Sequence, residues 1–181
     1  MQASRKFSTR KMTMIAVMAA LLCVFGPLTV PIGPIPLSLC NFMVFLVGAV
    51  LGAKSGSLAV VVYLLIGMVG VPVFSGFSGG LQKLVGPTGG YLIGYIPCAF
   101  ITGLAIKSGE TVPEKKWKLP SYMLLGVTVL YILGTAWFMA QSGNGLGASL
   151  SMCVIPFLPM DAIKLVAACL LAWPIRRAIY R

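Results

Sequence analysis

A chain of 181 residues that is 59% hydrophobic and 9% charged, with a mean hydropathy of +0.98, has too little polar surface to coat a water-soluble globule. Its formal charge of +11 could suit a nucleic-acid partner, but the basic residues fall between apolar runs and read as membrane-flanking charges. A span needs about 20 apolar residues, so the length suits a single all-α domain, 1–181, of roughly six transmembrane helices with no soluble domain left over.

The first span is expected near Met12–Thr29, after Arg5, Lys6, Arg10 and Lys11. A basic stretch before an apolar run also describes a signal peptide, and Ala20-Leu21-Leu22-Cys23 faintly resembles a lipoprotein cleavage box. The large Leu22 before the cysteine fits that poorly, and cleavage would remove a span, so the segment is read as a helix. Spans follow near Pro36–Ala53 and Ser55–Val71, joined by the tight turn Gly52-Ala53-Lys54-Ser55-Gly56. The fourth and fifth, near Leu84–Ile106 and Pro120–Ala140, are linked by the solvated loop Lys107–Leu119 with Glu110 and Glu114. The sixth runs near Pro156–Ile175.

With six crossings and the start inside, Arg5, Lys6, Arg10, Lys11, Lys54, Lys107, Lys115, Lys116, Lys118, Arg176, Arg177 and Arg181 all lie on the cytoplasmic side. Only Lys83 and Lys164 lie outside, as the positive-inside rule asks, and an odd number of spans would break the pattern. The outer connections Pro27–Pro36, Pro72–Gly86 and Ser142–Ser151 are rich in proline, glycine and aromatics. Such segments are flexible connectors or a lid over a cavity.

The lid reading gains from Pro159-Met160-Asp161-Ala162-Ile163-Lys164, which sets two opposite charges three residues apart at the head of the sixth span. That spacing puts both on one helical face, and an anion in the first turn is favoured by the helix dipole. Ionisable groups at membrane depth are costly and mark functional sites by default, though a self-neutralising ion pair is the plainer account.

Cys23, Cys40, Cys98, Cys153 and Cys169 are scattered through apolar runs, with no C-x-x-C and no histidine, so they read as packing residues and metal chemistry is not expected. No G-x-x-x-x-G-K-[ST] phosphate loop is present, so energy for transport must come from a partner or an ion gradient. Small residues recur at four-residue spacing in Ala16/Ala20, Gly48/Gly52, Gly90/Gly94 and Ala99/Gly103. Internal helix packing is their default meaning, with Ala16/Ala20 the best candidate for an external docking face.

Gly70-Val71-Pro72-Val73-Phe74-Ser75-Gly76, Gly79-Gly80, Gly86-Pro87-Thr88-Gly89-Gly90-Tyr91 and Asp161-Ala162-Ile163-Lys164 together resemble the BioY family, the biotin-binding S-components of energy-coupling-factor transporters. The resemblance covers nearly the whole chain. It implies the six-helix S-component fold in a bacterial cell membrane, both termini cytoplasmic, and a vitamin pocket under the outer loops. It also implies partners: biotin, a transmembrane T component and two cytoplasmic ATPases, with the S-component toppling in the lipid to deliver its cargo. The resemblance further implies no nucleic-acid partner, and biotin as cargo rather than cofactor. The A-x-x-x-A pattern associated with T-component docking corresponds to Ala16 and Ala20.

Biotin offers two ureido N–H donors, one carbonyl acceptor, an apolar ring and a valeryl chain. Asp161 is assigned to the N–H groups and Lys164 to the ureido oxygen or a nearby acceptor. Tyr91 and the Gly79-Gly80 backbone are secondary contacts, and Lys83 is a candidate for the carboxylate unless it is simply solvated. Family members read T-L-Q-T where this chain has Ser38-Leu39-Cys40-Asn41. Asn41 is the candidate to supply the lost amide, despite a rotation of about 100° per residue along a helix. The competing readings are an S-component for another vitamin, an intramembrane enzyme with a thin inventory of catalytic groups, and a structural or lipid-interacting protein with no pocket.

Overall fold

The computed structural model describes residues 9–30, 37–106 and 117–180. The expectations for Arg5, Lys6, Pro31, Pro34, Pro36, Arg181 and most of the Lys107–Leu119 loop fall outside them.

Six helices of 12 to 25 residues form the bundle: α1 (Thr9–Phe25), α2 (Cys40–Leu51), α3 (Ala53–Met68), α5 (Gly89–Leu104), α6 (Lys118–Ser142) and α8 (Leu158–Tyr180). Of these, α6 and α8 are long and apolar enough by themselves to cross a bilayer, and α2, α3 and α5 are shorter apolar helices. Two short helices, α4 (Leu81–Val85) and α7 (Leu146–Cys153), sit in the connections.

The observed ends differ from the expected spans where glycine or proline intervenes. α1 stops at Phe25 rather than Thr29, because Pro27 has no N–H to continue the ladder. The chain then forms β1 (Thr29–Val30), paired antiparallel with β2 (Leu37–Ser38), a small hairpin not anticipated from sequence. α2 therefore begins at Cys40 and not Pro36. The span expected from Leu84 is two helices, because extended Gly86 and Pro87 interrupt it and α5 restarts at Gly89. The third outer connection holds α7.

Between α2 and α3 the chain reverses at Gly52, whose φ of 78° favours glycine. Around this turn the helices are close-packed through small residues. A Cβ on Gly48 would lie 2.6 Å from the Ala99 carbonyl oxygen of α5, and one on Gly56 3.0 Å from the Gly48 Cα. Gly94 faces Leu130 of α6 in the same way, and Gly90 meets the Trp137 side chain. Gly48, Gly90, Gly94, Ala99 and Gly103 thus serve internal packing, whereas Ala16 and Ala20 are exposed on α1, whose buried face is Ile15, Met18, Ala19 and Leu22.

Two arginines mark one end of the bundle. Arg10 of α1 donates to the Ile179 carbonyl of α8, which brings the start of the first helix and the finish of the last together. Arg176 is buried and donates to the Ala49 and Val50 carbonyls at 3.1 and 2.5 Å, with its guanidinium 4.7 Å from the Tyr180 ring centroid. Those carbonyls belong to the last turn of α2, where unsatisfied acceptors and the helix dipole both favour a cation. The buried face of α8 reads Asp161, Lys164, Ala168, Ala172 and Arg176. Small residues in its middle permit close approach, and charges sit at both ends.

Candidate functional site

At the end of the bundle opposite Arg176, a cavity of about 130 Å³ opens among α2, α5, α6 and the loops. One ordered water needs roughly 10–15 Å³ on that measure, so a small molecule is the appropriate scale of occupant. Its floor and walls are aromatic and apolar: Phe74, Leu92, Tyr95, Cys153 and Phe157. The polar groups are Ser38, Asn41, Ser75, Ser78, Lys83, Thr88, Tyr91 and Tyr131.

The loop that covers this cavity is built, not loose. Tyr63 of α3 donates to the Val73 carbonyl at 3.1 Å and meets Phe74 edge-on, with ring centroids 5.6 Å apart. Phe74 and Ser78 form a bridge, Gly76 N–H donates to the Pro27 carbonyl at 3.2 Å, and Gly80 N–H to the Gly67 carbonyl at 2.7 Å. Phe74 packs so closely on Gly67 that a Cβ there would overlap its ring. The first and second outer connections are therefore tied to each other and to α3. Trp137 of α6 donates to the Gly86 carbonyl at 3.0 Å and so pins the α4–α5 link that carries Thr88.

Asp161 and Lys164 are 4% and 7% exposed and paired at 2.9 Å. Lys164 Nζ also donates to the Ser38 carbonyl at 2.7 Å. Asp161 Oδ1 accepts from Lys164, while Oδ2 accepts from Asn41 Nδ2 at 3.1 Å and from the Tyr131 hydroxyl at 2.6 Å. The pair forms a layer directly behind Asn41 and Tyr131, which face the cavity. An ion pair at this burial is tolerable because three further hydrogen bonds support it, two donated to the carboxylate by Asn41 and Tyr131 and one donated by the ammonium to the Ser38 carbonyl.

The structure thus brings Asp161, Lys164 and Asn41 together; Asn41, Tyr91 and Lys83 line the cavity, whereas Asp161 and Lys164 do not and lie behind its wall. Tyr91 shares a hydrogen bond with Thr135 at 3.2 Å, and Lys83 is exposed in the last turn of α4. Gly79 and Gly80 do not line the cavity. Gly79 packs against the Val71 carbonyl and Gly80 adopts φ 92°, so both shape the loop that carries Ser78. Cys40 turns away from the site: it is buried, with Sγ 3.6 Å from the Tyr63 hydroxyl, while Asn41 takes the polar position. Sequence reasoning passed over Tyr131 and Tyr95. A tyrosine inside an apolar span whose hydroxyl must find a partner was the available signal.

The family profile described as "BioY family" matches residues 1–181. The chain is similar to the biotin transporter BioY of Thermotoga maritima, with 39% identity over 93% of this chain and 96% of that one. It is also similar to the probable biotin transporter BioY of Pyrococcus horikoshii, with 37% identity over 90% and 94%. In three dimensions it matches the crystal structure of the S-component for biotin from an ECF-type ABC transporter, with TM-score 0.84, 30% identity, and coverage of 100% of this chain and 95% of that one. A helical bundle of membrane composition, a cavity under interlocked loops and these likenesses along the whole chain lead to one conclusion: this protein is a membrane protein that belongs to the BioY family.

Proposed function

We propose that this chain is the biotin-binding S-component of an ECF-type vitamin transporter. The observation that carries the reading is the cavity whose polar end is Asn41 and Tyr131 backed by the Asp161–Lys164 pair, and whose walls are aromatic. Biotin divides its chemistry in the same way, with a ureido head of two donors and one acceptor on an apolar ring and chain. The ureido ring goes to the Asp161 end, and the carboxylate goes to the mouth, where Lys83 offers an ammonium. Names borne by relatives over nine tenths of the chain support biotin over another vitamin.

Transport then requires a T component and two ATPases. Ala16 and Ala20, exposed on α1, form the smooth face on which the T component docks. Mass spectrometry of small molecules released from detergent-purified protein tests the substrate directly. Biotin is expected, with calorimetric binding of added biotin to the stripped protein. A different vitamin in its place, with no heat on adding biotin, would overturn the reading.

A further inference from the structure

Tyr131 sits midway along α6 between Leu130 and Ile132, and its hydroxyl reaches the Asp161 carboxylate at 2.6 Å. That distance is characteristic of a charge-assisted O–H···O⁻ bond. A phenol has a single proton, and this bond uses it. Toward the cavity, which Tyr131 lines, its oxygen is therefore an acceptor only.

Asn41 is set by the same oxygen. A carboxylate cannot donate, so the amide turns its NH₂ to Asp161 Oδ2 at 3.1 Å, and its carbonyl oxygen is left for another partner. Lys164 donates to Oδ1 and to the Ser38 carbonyl, which ties the head of α8 to β2 and holds the carboxylate in place. One buried anion thereby orients two neutral groups in the cavity wall.

We propose that Tyr131 is a specificity-determining residue that presents a hydrogen-bond acceptor to an N–H donor of the ligand, with Asn41 as its neighbour and Asp161 holding both in that sense. This rests on the biotin reading, whose ureido ring supplies two N–H donors, one on each side of its carbonyl. An oxygen that has given its proton to an anion is polarised into a better acceptor. A ligand presenting a carbonyl or ether at that point meets acceptor against acceptor and is refused, because the wall's polar groups are left unpaired.

The test uses the intact protein in detergent, titrated with biotin and with its two mono-N-methyl ureido analogues. Tyr131→Phe, which removes one oxygen and keeps the ring, should weaken biotin roughly tenfold. One methyl regioisomer, lacking the N–H that faces Tyr131, should bind wild type and variant alike. Equal weakening of biotin and both analogues would mark a merely structural tyrosine and overturn the proposal, as would unchanged biotin affinity. Tyr131→Met serves as a second removal of the hydroxyl should the first variant not fold. Failure of the wild-type protein to bind biotin is a separate result, seen before any variant is made, and it strikes the biotin reading itself.

Discussion

Asp161 is the sole acidic residue among the described residues, and its environment decides what it can do. It holds an ammonium, a phenol and a carboxamide around two oxygens inside an apolar bundle. Removing either charge of such a buried pair leaves the other uncompensated, at about 3–5 kcal/mol. Asp161→Asn and Lys164→Ala are each expected to weaken biotin binding by roughly tenfold or more, measured by calorimetry on protein that still runs as a single species on gel filtration. Native affinity in both variants would remove the pair from the site. Lys83 is a different case, because it is exposed at the mouth, and screening by solvent limits what one such charge contributes.

The four-residue repeats of small side chains face opposite ways on different helices, inward on α2 and α5 and outward on α1. Gly48 lies where α2 and α5 nearly touch, so even a Cβ would crowd the Ala99 carbonyl at 2.6 Å. Gly48→Leu overpacks that contact by about 1–3 kcal/mol or more, and a lower melting temperature in detergent is the expected readout. Ala16 and Ala20 face outward, so the double change Ala16→Trp, Ala20→Trp should leave melting temperature and biotin affinity near native. Copurification with the T component, and uptake of labelled biotin in cells that supply the ATPases, should both fall. Normal yield of the complex from the double variant would put the docking face elsewhere. Loss of biotin binding instead would make the pair a packing contact.

Across the whole molecule, charge is sorted by end. Arg10, Arg176 and the Lys54 turn lie at one end with the α1 start and the α8 finish, and the cavity with Lys83 lies at the other. Helices whose first and last members meet end to end require an even number of crossings. In a background without native cysteines, a maleimide that cannot cross membranes should label Lys83→Cys in intact cells and Lys54→Cys only after lysis. Labelling of Lys54→Cys from outside would contradict cytoplasmic termini and the six-span topology together.

Membrane character, the helical class and the Asp161–Lys164 face were legible in the sequence, because they depend on composition and on the 3.6-residue period alone. The G-P-T-G-G-Y and D-x-x-K motifs carried the family for the same reason: they are local in the chain. Helix ends were misplaced where Gly26-Pro27 and Gly86-Pro87 stop an otherwise apolar run, since hydropathy does not register a missing N–H. The roles of Tyr131, Cys40 and Gly79 lay beyond the sequence, since each depends on a partner distant in the chain or on a loop's exact path. Tyr131 meets Asp161 thirty residues on, Cys40 meets Tyr63 across the bundle, and Gly79 meets Val71 within a folded loop. Periodicity fixes which residues share a face, but only packed helices decide which faces meet, and the site is made where α2, α5, α6 and α8 converge.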